Sequence, residues 1–261
     1  MKSASSRRGP KTPDGLDQVY GVHALQSLLD RGEAPRELWV QQGAGSRLKE
    51  LIAQAQAHGA RVKEQPRDLL DQLTQGAAHQ GVVAFCPPLT PEGEESLWLK
   101  LRAWPSNTPP LLLILDGVTD VHNFGACLRS ADAAGAHGVI VAKDKAAPLN
   151  ATVRKVACGA AEVVPVYQVT NLARTLAKLK DAGVWITGTA GEAEASVFDI
   201  DMTGPTALVM GAEGKGMRRL TREACDNLAK LPMAGEVSSL NVSVATGICL
   251  FEAVRQRQLA S

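Results

Sequence analysis

From Leu111 to the C-terminus, short and almost wholly apolar runs alternate with helical stretches, and this order constrains the fold more than any other feature. The runs LLLIL, GVIVA, EVVPV, VWITG and TALVM have strand length. Among them stand NFGACLRSADAAG, LNATVRKVACG and NLARTLAKLKDAG, then a short helix near Leu220 to Cys225 and a long one from Leu240 to Gln258. Strands that lack polar alternation are buried on both faces. The pattern therefore predicts an α/β fold, a parallel sheet with helices on each side.

A smaller α/β unit precedes it. GVHALQSLLD places Val22, Leu25, Leu28 and Leu29 near one helical face. ELWV reads as a strand, SRLKELIAQAQAHG as a helix, ARV as a short strand, PRDLLDQL as a helix and GVVAF as a buried strand. Proline density between Pro87 and Pro110 suits a linker, with ESLWLKLRAW a helix inside it. The expected organisation is a disordered basic tail at 1–16, a small domain at 17–88, a linker at 89–108 and the large domain at 109–261.

Composition removes several classes. No apolar run approaches the ~20 residues of a spanning helix. The N-terminus MKSASSRRGPKTPDG lacks the apolar stretch of a signal peptide. Cys86, Cys127, Cys158, Cys225 and Cys249 form no C-x-x-C pair. We therefore expect no metal, no disulfide framework, no membrane and a cytoplasmic location. Against 27 acidic residues stand 28 basic ones, a net charge of +1. That excludes a uniformly basic nucleic-acid binder and leaves room for local basic faces.

Ligands of parallel sheets bind beyond the C-terminal ends of the strands, and three post-strand segments carry polar residues there. In LDGVTDVHNFGACLRSA, Asn123 is placed to cap the next helix. Arg129 follows six residues later, toward the same side, and the two suit a phosphate or a ribose. The alternative is that Asn123 only caps and Arg129 pairs with Asp120 or Asp132. In LVMGAEGKGMRRL, Gly211, Gly214 and Gly216 free the backbone for close approach around Glu213. Neither the Walker spacing nor G-x-G-x-x-G is present, which argues against a nucleotide hydrolase or a dinucleotide dehydrogenase. The alternative there is a plain glycine turn with Arg218 and Arg219 as a solvated edge. In LPMAGEVSSLNVSVATGICLFE, Ser238 or Ser239 is placed to cap the last helix, and its small residues allow either ligand approach or tight packing. His122 reads as a hydrogen-bonded turn residue. Local basic patches are Lys143, Lys145, Arg154 and Lys155 on one side, and Arg218, Arg219 and Arg222 on another.

In order and wording these segments resemble the three signature motifs of the SpoU (TrmH-like) family of RNA ribose 2′-O-methyltransferases, within the SPOUT class. The match runs from about Val19, and VYGVHAL and HQGVVA resemble the family's small substrate-binding domain, which is similar in fold to RNA-binding ribosomal proteins. The resemblance implies a C-terminal domain tied in a deep trefoil knot, which breaks the usual rule against threaded chains. It also implies a homodimer through that domain, with an active site built from both subunits, and S-adenosylmethionine as cofactor. The implied cofactor loops hold Thr189, Ala190 and Gly191, then Gly211 and Glu213, then Leu231, Met233 and Leu240. Arg129 is implied to contact the target phosphate and hydroxyl, with Asn123, Glu213, Ser239 and Asn241 organising the pocket. The implied RNA contacts are Arg129, Arg154, Lys155, Arg218 and Arg219.

NATVRKVACGAAE and the run from Ser238 most resemble members that methylate a guanosine ribose in the peptidyl-transferase region of 23S ribosomal RNA. A relative acting on transfer RNA or another ribosomal site is the neighbouring expectation. A non-catalytic RNA-binding assembly factor is the other. One departure is Val121, where the family usually carries proline.

Overall fold

The computed structural model describes residues 12–43, 45–105 and 108–260, so residues 1–11 of the expected tail lie outside the described residues. The chain divides into two units between Leu89 and Thr90.

In the first unit, β1 (Asp17–Tyr20), β2 (Glu37–Gln41), β3 (Arg61–Gln65) and β4 (Val82–Cys86) form a sheet ordered β1-β4-β2-β3. β4 runs antiparallel to both its neighbours, and β2 pairs β3 in parallel. Neighbouring side chains on a strand point to opposite faces. Leu38, Val40, Val82 and Ala84 accordingly join Leu25 and Leu28 of α1 (Val22–Asp30) and Leu51 of α2 (Ser46–Ala57). Trp39, Val83 and Phe85 join Leu70 of α3 (Arg67–Thr74) on the other face. Covering both faces explains why GVVAF is apolar without alternation. β1 was not anticipated; its DQVY carries only one fully buried residue, Val19.

The second unit is an eight-stranded sheet whose paired strands all run parallel. Its strands are β5 (Glu92–Gly93), β6 (Leu111–Asp116), β7 (Gly138–Ala142), β8 (Val166–Val169), β9 (Trp185–Thr189), β10 (Ala195–Ser196), β11 (Thr206–Gly211) and β12 (Asn227–Lys230), ordered β10-β12-β9-β11-β6-β7-β8-β5. One face is covered by α4 (Glu94–Arg102) and α8 (Leu172–Asp181), whose Leu97, Leu172 and Leu176 pack with Leu112, Ile114, Ile140 and Val209. On the other lie α5 (Val121–Ala133) and α10 (Val242–Ala260), packed together. The short helices α6 (Ala151–Ala157) and α7 (Ala160–Val163) follow β7, and α9 (Arg219–Glu223) precedes β12.

Three expectations change here. The stretch 89–108 is not a linker throughout: β5 pairs with β8, and Leu97 is buried in the second unit's core. EVVPV is not one strand. Glu162 and Val163 are helical and the Val164 amide still bonds to Ala160 O, so the strand starts after Pro165, at Val166. β12 was missed because NLAK is short and half polar.

β11 lies between β9 and β6, although the chain reaches it from β10 at the sheet's edge. This reversal of strand order leaves the loops after β6 and β11 side by side, the usual place for a ligand crevice in an open α/β sheet.

Candidate active site

The three polar segments meet through hydrogen bonds. Asn241 Nδ2 donates to Glu213 Oε1 at 2.6 Å and to Asn123 Oδ1 at 2.9 Å. The Val242 amide, first in α10, donates to the same Glu213 oxygen at 3.2 Å, where the helix's free amides favour a carboxylate. One residue from each segment thus joins a single cluster.

Two caps differ from the sequence reading. Asp120, not Asn123, caps α5: its carboxylate accepts from the Asn123 amide at 2.7 Å, which frees the Asn123 side chain for Asn241. α10 begins at Val242, close to the expected start near Leu240, but the residue before it is the cap: Asn241 Oδ1 accepts from the amide and hydroxyl of Ser243 at 2.9 and 2.6 Å. Ser239 is exposed at the cavity instead of capping. Val121 occupies the first helical position of α5, where proline is merely well tolerated, so the Asp120 cap does not depend on it.

Beneath the cluster, Asp116 ends β6 with no exposure. Its oxygens accept from the Arg218 amide at 2.7 Å and from Arg218 Nε. A buried carboxylate needs such partners, and these fasten the loop after β11 to β6. That loop doubles back through a bridge between Ala212 and Gly216. A Cβ at Gly211 would stand 2.3 Å from Gly216 C and Met217 N, so only glycine fits. Asp116 went unnoticed in the sequence, its one signal being a carboxylate at the end of an apolar run. Asparagine at Asp116 would face the Arg218 donors with half the acceptor capacity. We expect Asp116→Asn to lower stability by about 2 kcal/mol in urea unfolding, the scale of a hydrogen bond to a charged group, and to weaken ligand binding in the adjoining cavity.

That cavity, about 470 Å³, lies beyond the C-terminal ends of the adjacent strands β12, β9 and β11. It is lined by Thr189, Ala190 and Gly191 after β9, by Gly211 and Glu213 after β11, and by Leu231, Met233, Ser239 and Leu240 after β12. Glu192 and Arg222 line it too, and sequence reasoning passed over both as pocket residues. A larger cavity, about 820 Å³, lies between α4 and α8 and contains none of the polar cluster. Burial pushes the thiols of Cys127 and Cys225 up to about 11, so neither supplies a thiolate at neutral pH.

The basic candidates separate. Arg129 is exposed on α5, its Nη1 lying 3.7 Å from Cys158 Sγ, and among the described residues it has no ion pair with Asp120 or Asp132. It does not share a side with Asn123, because six residues turn a helix by about 600° and leave the two about 120° apart. α5 approaches α6 closely at Gly125, where a Cβ would stand 2.6 Å from Val156 Cβ. Arg154 is not available to RNA: it is 4% exposed and makes a forked ion pair with Glu162, itself 1% exposed. Arg218 is held by Asp116, Arg219 pairs with Glu223 and Arg222 with Glu192. Lys155 is partly exposed, while Lys143 and Lys145 are exposed after β7.

Family comparison assigns the class of this parallel-sheet unit, whose crevice loops meet at a bonded Asn, Glu and Asn. A family model described as the SpoU rRNA Methylase family matches residues 110–251, and one described as RNA 2′-O ribose methyltransferase substrate binding matches residues 18–92. The chain belongs to the SpoU rRNA methylase family. Among its relatives, the 23S rRNA (guanosine-2′-O-)-methyltransferase RlmB of Pseudomonas putida is 58% identical over 94% of this chain and 98% of its own. RlmB of Escherichia coli is 56% identical over 92% of this chain and 99% of its own. Among solved structures, the SpoU methyltransferase AviRb from Streptomyces viridochromogenes, in complex with AdoMet, superposes with a TM-score of 0.75. It is 28% identical and aligns over 94% of this chain and 92% of its own.

Proposed function

We propose that this protein transfers a methyl group from S-adenosylmethionine to the 2′-oxygen of a guanosine ribose in 23S ribosomal RNA, in the peptidyl-transferase region. The observation that carries the reading is the hydrogen-bonded meeting of Asn123, Glu213 and Asn241 beside a cavity lined by three post-strand loops. The RlmB relatives, similar over nearly their whole length, supply the substrate.

The cavity suits the cofactor. Its volume falls in the roughly 300–1,000 Å³ range of small-molecule sites. At Gly191 no heavy atom lies within 4 Å of a notional Cβ, which leaves main chain open to a ligand. Thr189, Ala190, Gly191, Gly211, Leu231, Met233 and Leu240 would hold the cofactor, whose sulfonium supplies an electrophilic methyl.

The chain's own task is alignment. A ribose hydroxyl is a weak acid and methyl transfer is near-linear, so positioning supplies much of the acceleration. The Arg129 guanidinium clamps the target phosphate and polarises the 2′-oxygen through forked charge-assisted bonds. Arginine serves poorly as a base, so the hydroxyl proton passes to water late in the transfer. Asn241 and the Val242 amide orient Glu213, Asn123 accepts from Asn241 beside the cavity, and Ser239 lines its wall. RNA contacts come from Arg129, Lys155 and Arg219, and from the first unit.

The active unit is a homodimer built on the second unit. Val244, Ile248 and Phe251 are 51%, 36% and 49% exposed, and their i, i+4, i+7 spacing puts them on one face of α10. A second copy covers that face, and the active site draws on both subunits. The trefoil knot and the cytoplasmic location are part of the same reading. Among the described residues, no helix is long and apolar enough to cross a membrane, and no group of three His, Cys, Asp or Glu forms a candidate metal site.

The test is transfer of labelled methyl from S-adenosylmethionine to unmodified 23S ribosomal RNA by the purified chain. The label is expected at one guanosine whose phosphodiester resists alkaline cleavage. Label on a base, or none in the RNA, would refute the assignment.

A further inference from the structure

Glu192 and Arg222 reach the cavity from different elements, the turn after β9 and α9 respectively, and both line it. Arg222 Nη1 donates to Glu192 Oε1, and the side chains remain 39% and 61% exposed. A pair so exposed adds little to folding. One guanidinium N–H and one carboxylate oxygen are engaged, so most of the donor and acceptor capacity is still open. The other carboxylate of known contacts at the cavity, Glu213, is tied to Asn241 and the Val242 amide. Lys215 and Lys230 also line the cavity, but among the described residues neither is in an ion pair. Glu192 and Arg222 therefore place a cation directly beside an anion there.

The non-reacting end of S-adenosylmethionine is an amino acid, with an ammonium and a carboxylate on one carbon. We propose that Glu192 and Arg222 form the subsite for that end, Glu192 accepting from the ammonium while the free edge of Arg222 pairs with the carboxylate. The subsite rests on the cofactor reading above. It accounts for an exposed ion pair in the lining of a cavity whose other charged residues are Glu213, Lys215 and Lys230.

Calorimetry on the full chain separates the possibilities with two ligands. S-Adenosylhomocysteine carries the amino-acid end, whereas 5′-methylthioadenosine keeps the adenosine and lacks that end. Glu192→Gln and Arg222→Met are each expected to weaken S-adenosylhomocysteine about tenfold, the scale of one charge-assisted bond, and to leave 5′-methylthioadenosine unchanged. That unchanged affinity also shows that the variant cavity is folded. Equal weakening of both ligands in both variants would place the pair against the ribose or in the cavity's framework, and so overturn the subsite. Unaltered binding of S-adenosylhomocysteine overturns it as well. A wild-type chain that binds neither ligand overturns the cofactor reading itself, and the subsite with it.

Discussion

With lysine in place of Arg129, the protein is expected to bind S-adenosylmethionine as before and to methylate 23S ribosomal RNA at least about a hundredfold more slowly. The magnitude is that of removing one preorganised donor from a reacting oxygen. Lysine keeps the charge but loses the planar fork that can grip a phosphate and a 2′-oxygen together. The fold should tolerate the change, because Arg129 is exposed and its guanidinium donates to the Cys158 sulfur. Calorimetric titration of the donor beside single-turnover methyl transfer gives both quantities. Equal turnover of the two proteins would remove Arg129 from the reaction.

The second large effect concerns stability. Glutamine at Glu162 leaves the Arg154 guanidinium, 4% exposed, facing a neutral amide. Breaking a buried pair from one side costs about 3–5 kcal/mol, which lowers the melting temperature by roughly 10 °C in a chain of this size. Replacing both partners with apolar residues of similar volume, Arg154→Met with Glu162→Leu, should recover most of that loss, since no charge is then left buried. Scanning calorimetry of the single and double variants decides it. If the single variant melts with wild type, the pair contributes nothing. The pair joins α6 to α7 across the turn that carries Cys158, so it also bears on where Arg129 lies.

Legibility in the sequence followed the range of the forces concerned. The strands LLLIL, GVIVA and TALVM were readable because a strand buried on both faces must be apolar throughout, and β6, β7 and β11 are buried along almost their whole length. β12 was not readable, since its place is set by pairing with β9 and β10 and its own residues say little. Caps were misplaced by a few residues: Asp120 and Asn123 both suit a helix start, and only the distant Asn241 decides which is left free. The cationic candidates were the least legible. Arg154 lies inside the fold and Arg218 on a buried carboxylate, while among the described residues Arg129 pairs with neither Asp120 nor Asp132.

By itself the sequence determined two α/β units, the order of most helices and strands, and the three polar segments at strand ends. These follow from local periodicity, the 2.0-residue alternation of strands and the 3.6-residue turn of helices. Only the tertiary structure decided that Asn123, Glu213 and Asn241 share one set of hydrogen bonds, and which arginines are spent on buried acids. Those outcomes depend on side chains up to 118 residues apart coming within hydrogen-bonding distance. A buried charge takes whatever partner the packing brings to it, and spacing along the chain does not encode that partner.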